Sequence, residues 1–170
     1  MMLRLRRAKK DDSTNAQLMS ELHSIVCDEY NALMANSLVT SLENTVEVWY
    51  KTLLNWDYDY CWFAFDGEKL VGWVECHSVM DNAGWLTIYV RRDCQGKGYG
   101  REILRLYEDE CFRKLGLRRL FLSVLDYNTR AKELYKSCGW EETGHLPEVK
   151  MFEGKLWGRT YMTKKNPNAK

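Results

Sequence analysis

Val90-Arg91-Arg92-Asp93-Cys94-Gln95-Gly96-Lys97-Gly98-Tyr99-Gly100-Arg101 is the stretch whose reading decides the fold. Before it, residues 85–90 are apolar, aromatic and β-branched, the composition of a strand. After it, Ile103, Leu104, Tyr107, Cys111 and Leu115 recur at helical spacing. Glycines at 96, 98 and 100 let backbone N–H groups turn inward, and four basic residues stand against one acid. The loop therefore reads as an anion site backed by a helix N-terminus. Two phosphate loops are excluded by counting. A GxGxxG fingerprint begun at Gly96 needs glycine where Arg101 stands, and begun at Gly98 needs it where Ile103 stands. A GxxxxGK[ST] loop fails because Gly98 follows Lys97 and Arg91 occupies the first glycine position.

Upstream, Leu3 and Leu5 alternate with Arg4 and Arg6, which predicts a first strand. Thr14-Asn15-Ala16-Gln17 has the spacing of a capping box, and Leu18, Leu22, Ile25 and Val26 give the helix that follows an apolar face. That helix is expected to end near Glu29 and Tyr30. A looser stretch at 31–41 then leads to a second helix marked by Leu42, Val46, Trp49 and Leu53. Residues 60–65 and 70–80 flank the turn Asp66-Gly67-Glu68-Lys69, and a break at 81–84 precedes 85–90, which completes an antiparallel meander.

Downstream, a long helix is predicted over 99–115 with Gly116 as its cap, then a buried strand at 120–125. A short helix over 128–138 is stopped by Gly139, residues 155–163 pair with 141–152, and 164–170 read as a frayed tail. Meander, helix, strand, helix and hairpin together predict an α/β (α+β) fold: a mixed, mostly antiparallel sheet flanked by helices.

The 170 residues match one domain, since domains run about 100–200 residues, so a single unit over 1–170 is expected. The net charge of +1 offers no whole-chain field for nucleic acid or for an anionic membrane. The cysteines at 27, 61, 76, 94, 111 and 138 show no CxxC or CxxH spacing, which argues against a metal site. Charged residues alternate at the N-terminus without an apolar run, and no stretch approaches the ~20 apolar residues of a membrane span. A cytoplasmic protein with reduced thiols is the expectation.

Gln95-Gly96-Lys97-Gly98-Tyr99-Gly100 fits the pattern Gln/Arg-x-x-Gly-x-Gly/Ala between strand and helix. Asn128-Thr129-Arg130-Ala131-Lys132-Glu133-Leu134-Tyr135-Lys136-Ser137-Cys138-Gly139-Trp140 fits N-x-x-A-x-x-x-Y-x-x-x-G-F/W. Taken together the two segments resemble the GNAT superfamily of acyl-CoA-dependent N-acetyltransferases over about residues 85–140; no motif matches the N-terminal acceptor region.

The resemblance implies acetyl-CoA in a cleft between the fourth and fifth strands, its pyrophosphate on the N–H groups of Gly96, Lys97, Gly98, Tyr99, Gly100 and Arg101, with Gln95 bracing the loop. A Cβ at Gly98 or Gly100 would obstruct that approach. It implies pantetheine paired with the backbone of Ile88, Tyr89 and Val90, the Val90 N–H as oxyanion donor, Asn128 on the pantetheine arm, and Tyr135 as general acid. Acetyl would pass directly to a primary amine in a ternary complex, with no metal. The rival reading is a GNAT-like domain that binds acyl-CoA as a sensor or partner module without turnover.

Some family members carry glutamate where Gly84 and Ser123 stand here, so no carboxylate is ready as base. Glu75 and His77, on one face of the third strand, and Tyr89 on the fourth are the candidates. Asp57, Tyr58, Asp59 and Tyr60, together with Glu29 and Tyr30, form an acidic, aromatic region that would hold a cationic small-molecule or peptide amine. The sequence does not identify the acceptor, and its open sheet edges would suit a homodimer.

Overall fold

The computed structural model describes residues 2–54 and 60–169; the side chains of Trp49 and Leu53, and Asp57, Tyr58 and Asp59 altogether, lie outside what it describes. Seven strands form one sheet: β1 (Leu3–Arg7), β2 (Tyr60–Asp66), β3 (Lys69–Met80), β4 (Ala83–Val90), β5 (Arg119–Leu125), β6 (Glu141–Phe152) and β7 (Lys155–Lys165). Their spatial order is β1-β2-β3-β4-β5-β7-β6, antiparallel throughout except for the parallel pair β4 and β5. A parallel pair needs a crossover, and α4 (Tyr99–Asp109), extended by a π-helical turn over Glu110–Lys114, supplies it. The remaining helices are α1 (Ala16–Val26), α2 (Glu29–Ala35), α3 (Leu42–Leu54) and α5 (Thr129–Ser137).

The alternation of strand side chains divides the core between the two faces of the sheet. Trp62, Val74, Cys76, Leu86, Leu120 and Leu122 meet Ile103, Leu104 and Tyr107 of α4 and Tyr135 of α5 on one side. Cys61, Phe63 and Trp73 meet Leu18, Met19, Leu22 and Ile25 of α1 on the other.

Several sequence expectations are corrected. The cap of α1 is Asn15, whose side chain accepts from the Leu18 N–H at 3.0 Å, while Thr14 ends a separate 3₁₀ turn over Lys10–Thr14. Glu29 and Tyr30 do not end α1; they open α2, capped by Asp28 and closed by Asn36 in the left-handed region at φ 57°. Among the described residues three α-helices, not two, therefore precede β2. The expected tail is partly built into the fold: Lys164 and Lys165 continue β7, and the Asn166 N–H donates to the Arg118 carbonyl at 2.9 Å.

The feature that positions the site is the parting of β4 from β5. They pair only over residues 83–85 with 119–121. Beyond that, β4 stays with β3 as far as Val90, and β5 stays with β7 as far as Leu125.

Candidate active site

The gap between the strands opens a cavity of 760 Å³. Its walls include Thr87, Ile88, Tyr89 and Val90 of β4, Ser123 and Val124 of β5, and Asn128, Arg130, Leu134 and Tyr135 from the start of α5 onward. Gln95, Gly96, Gly98, Gly100 and Arg101 of the loop line it too, as do Tyr30, Asn31 and Met34 of α2.

Strand register determines which backbone groups meet this space. The Arg91 N–H bonds the Val71 carbonyl at 2.8 Å, so in an antiparallel pair the N–H and C=O of Val90 and Ile88 turn away from β3, toward the side where β5 has departed. On that side the Val90 carbonyl accepts from Asn31 Nδ2 and from Gln95 Nε2, each at 3.1 Å. Tyr89, one residue along, instead pairs with Trp73 across β3.

The loop has the conformation its glycines permit. Gly96 and Gly98 sit at φ 77° and 87°, a region that L side chains rarely adopt. Gly98 is the N-cap of α4 and offers no side chain to cap it, which leaves the first N–H groups of that helix available to an anion. Gly100 is restricted for a different reason from the one expected: its Cβ would stand 3.1 Å from Leu134 Cδ2, so the position is set by packing of α4 on α5.

Arg101 reaches Ser137 Oγ at 2.9 Å beside the cavity, and Arg130 lines it near Gly96. Arg130 has no role in the sequence reading; it lies far from the glycine loop in sequence, and only the tertiary fold brings its charge beside Gly96. Lys97 is exposed and does not line the cavity. Nor does Tyr99, whose hydroxyl donates to Asp66 at 2.6 Å; that bond to a carboxylate pushes the phenol up to about 12. Lys69 and Arg91 tie Asp93 at 2.7 and 3.3 Å, and Arg92 lies over the Tyr30 ring at 3.8 Å.

Tyr135 is 8% exposed, with its ring 6.1 Å from that of Trp140. Burial pushes its phenol well above the ordinary range, so it holds its proton at neutral pH. Asn128 caps α5 by accepting from the Ala131 N–H at 3.2 Å, and its amide donates to the Met34 carbonyl at 3.3 Å.

The two third-strand candidates separate. Glu75 accepts from Trp73 Nε1 at 2.5 Å and is not a cavity residue, whereas His77 lines the cavity with Nε2 3.1 Å from Thr87 Oγ1. Trp85 and Tyr89 stand on the same face. Burial raises the Tyr89 phenol. The two positions without a carboxylate also part: Ser123 faces the cavity, but a Cβ on Gly84 would run into Cys76 Sγ on the core side. Among the described residues no group of three or more His, Cys, Asp or Glu is placed to hold a metal ion, and no helix is long and apolar enough to cross a membrane.

A split between β4 and β5 with a glycine loop at its mouth defines a class of acyl-CoA-binding folds. Residues 20–140 match the acetyltransferase (GNAT) family, and the chain belongs to it. Spermidine N(1)-acetyltransferase of Vibrio cholerae is 32% identical over 93 residues, which are 53% of this chain and 54% of that protein. The match thus spans about half the length of that relative. L-amino acid N-acyltransferase MnaT of Escherichia coli is 27% identical over 148 residues, 87% of this chain and 75% of that protein. In fold, the chain is similar to the crystal structure of spermidine N-acetyltransferase from Vibrio cholerae in complex with CoA and spermine. The TM-score is 0.78 at 22% identity, over 97% of this chain and 96% of that one.

Proposed function

We propose that the chain is an N-acetyltransferase that moves acetyl from acetyl-CoA directly to a small primary amine in a ternary complex. One observation carries this reading: the open backbone edge of β4 at Val90, the glycine loop and Tyr135 all converge on one cavity.

The residues present fit the cosubstrate. Gly96, Gly98 and Gly100 supply backbone N–H groups and the uncapped start of α4, and Arg101 and Arg130 supply positive charge, a donor set suited to a diphosphate. Ile88 and Val90 present strand-edge backbone groups, and Asn128 a side-chain amide, which suit the amides of a pantetheine arm. Acetyl-CoA, when bound, supplies an activated acyl group on a thiol leaving group.

The Val90 N–H is placed to hold negative charge on an acyl oxygen. In this reading Tyr135 delivers its proton to the departing thiolate; burial raises the phenol and opposes that transfer, so a preformed hydrogen bond has to supply what acidity does not. On the acceptor side Tyr30, Trp85 and Tyr89 offer aromatic faces to an amine. An amine with a pKa of about 10.4 is neutral in only about one part in 10³ at pH 7, and deprotonating it costs about 4–5 kcal/mol. The amine loses this proton to water before attack; the ring of His77, tied to Thr87, orients the acceptor side.

The experiment is thiol release from acetyl-CoA across spermidine, amino acids and peptide N-termini, with mass detection of the acetylated product. Release above the no-amine rate with one acceptor class is expected. CoA binding without release from any amine would overturn the enzyme reading and leave an acyl-CoA-binding module.

A further inference from the structure

Helix α2 lines the cavity with Tyr30, Met34 and Ala35, and it is fastened to both lips of the cleft. On the β5 lip, Tyr127 Oη donates to the Leu33 carbonyl at 2.8 Å and Asn128 Nδ2 to the Met34 carbonyl at 3.3 Å. On the β4 lip the fastening is Asn31, a polar residue 6% exposed with every side-chain polar atom in use. Its Nδ2 donates to the Ile25 carbonyl at 2.9 Å and to the Val90 carbonyl at 3.1 Å, and its Oδ1 accepts from Gln95 Nε2 at 2.7 Å. Gln95 is the residue directly before Gly96, and its own Nε2 also reaches the Val90 carbonyl. A single buried amide thus joins the end of α1, the strand edge that faces the acyl group and the first residue of the glycine loop.

We propose that Asn31 is a positioning residue that couples occupancy of the glycine loop to the placement of α2, so that the acceptor-side wall is set when the cosubstrate is bound. The physical reason is that a buried amide loses far more by separating from its partners than a solvated one, so loop and helix shift together. The inference rests on the assignment of the loop as the CoA site. Tyr30 beneath Arg92, the residue that opens the loop's 3₁₀ turn, adds a second link of the same sense.

Hydrogen–deuterium exchange of the whole protein with and without CoA tests it. CoA is expected to slow exchange in peptides covering 96–101 and also in those covering 29–36, the latter by at least about threefold. In Asn31→Ala the loop should remain protected by CoA while the response of α2 is lost. Gln95→Met cuts the same bond from the loop side without touching the bond to Ile25, and should uncouple α2 in the same way, which covers the case in which Asn31→Ala does not fold. Protection of the loop without α2 in the unmodified protein, or an α2 response that persists in both variants, overturns the coupling and leaves the CoA site standing. No protection of the loop at all overturns the CoA site, and this inference with it.

Discussion

The phenol of Tyr135 is packed near Trp140, where desolvation penalises its anion, and it faces the cavity from the α5 side. Tyr135→Phe keeps the ring and its packing, so fold and CoA affinity should be retained; general-acid effects run about 10²–10⁴-fold, and turnover should fall by at least about tenfold. Full turnover in that variant would move the proton donor elsewhere. On the acceptor side, Glu75 is engaged by Trp73 and only His77 of the two faces the cavity. If the amine gives its proton to water, turnover per acceptor should rise between about pH 6 and 8.5 as the free-amine fraction grows, and His77→Gln should retain that rise. A loss of more than about a hundredfold in folded His77→Gln that still binds CoA would make the imidazole the base.

Loop and helix share one constraint at Gly98, which must hold φ 87° while opening α4 as an N-cap without a side chain. Gly98→Glu places a Cβ in a left-handed conformation and a carboxylate at an anion site. Calorimetry should find CoA binding abolished in the folded variant; an unchanged dissociation constant would refute the loop assignment. The same scale explains why α2 escaped the sequence reading. With seven residues it is too short to show periodicity, and only Cys27 and Asp28 separate it from the end of α1. What holds α2 is tertiary, through Asn31, Tyr127 and Asn128.

For the molecule as a whole, the β6–β7 hairpin is tied to the cleft through Asp126, next to Tyr127 and Asn128. Its carboxylate accepts from His145 Nε2 and Thr160 Oγ1, each at 2.7 Å. Burial alone would raise this carboxyl, but those hydrogen bonds outweigh it and hold the group below the ordinary carboxylate range. A depressed folded-state pKa adds stability above the unfolded value of about 3.9, and that stability is lost as pH falls through the lower folded value. Asp126→Asn should therefore lower Tm at pH 7, and the gap from the unmodified protein should close as pH drops below about 4. Scanning calorimetry at the two pH values checks this; a gap independent of pH would show that the carboxylate charge contributes nothing.

Residues 85–116 carry their structure in local terms. The β-branched run, the glycines and the helical repeat of Ile103, Leu104 and Tyr107 act over a few residues each, and strand, loop and helix follow them closely, except that β4 takes in Ala83 and Gly84 of the expected break and the last turn of the helix, Glu110–Lys114, is π-helical. The same holds for Asn128 as a helix cap and for the Gly67 turn. Locality also misled: Thr14 has the spacing of a cap, yet the chain turns at Asn15, and Lys164 reads as tail until its ammonium meets Glu108 at 2.6 Å. Tertiary structure alone decided that β4 and β5 part after residue 85, that the Val90 backbone faces the resulting gap, and that His77 looks into it while Glu75 is held by Trp73. Each of these depends on pairing or packing between segments tens of residues apart, whose register no local pattern of side chains encodes.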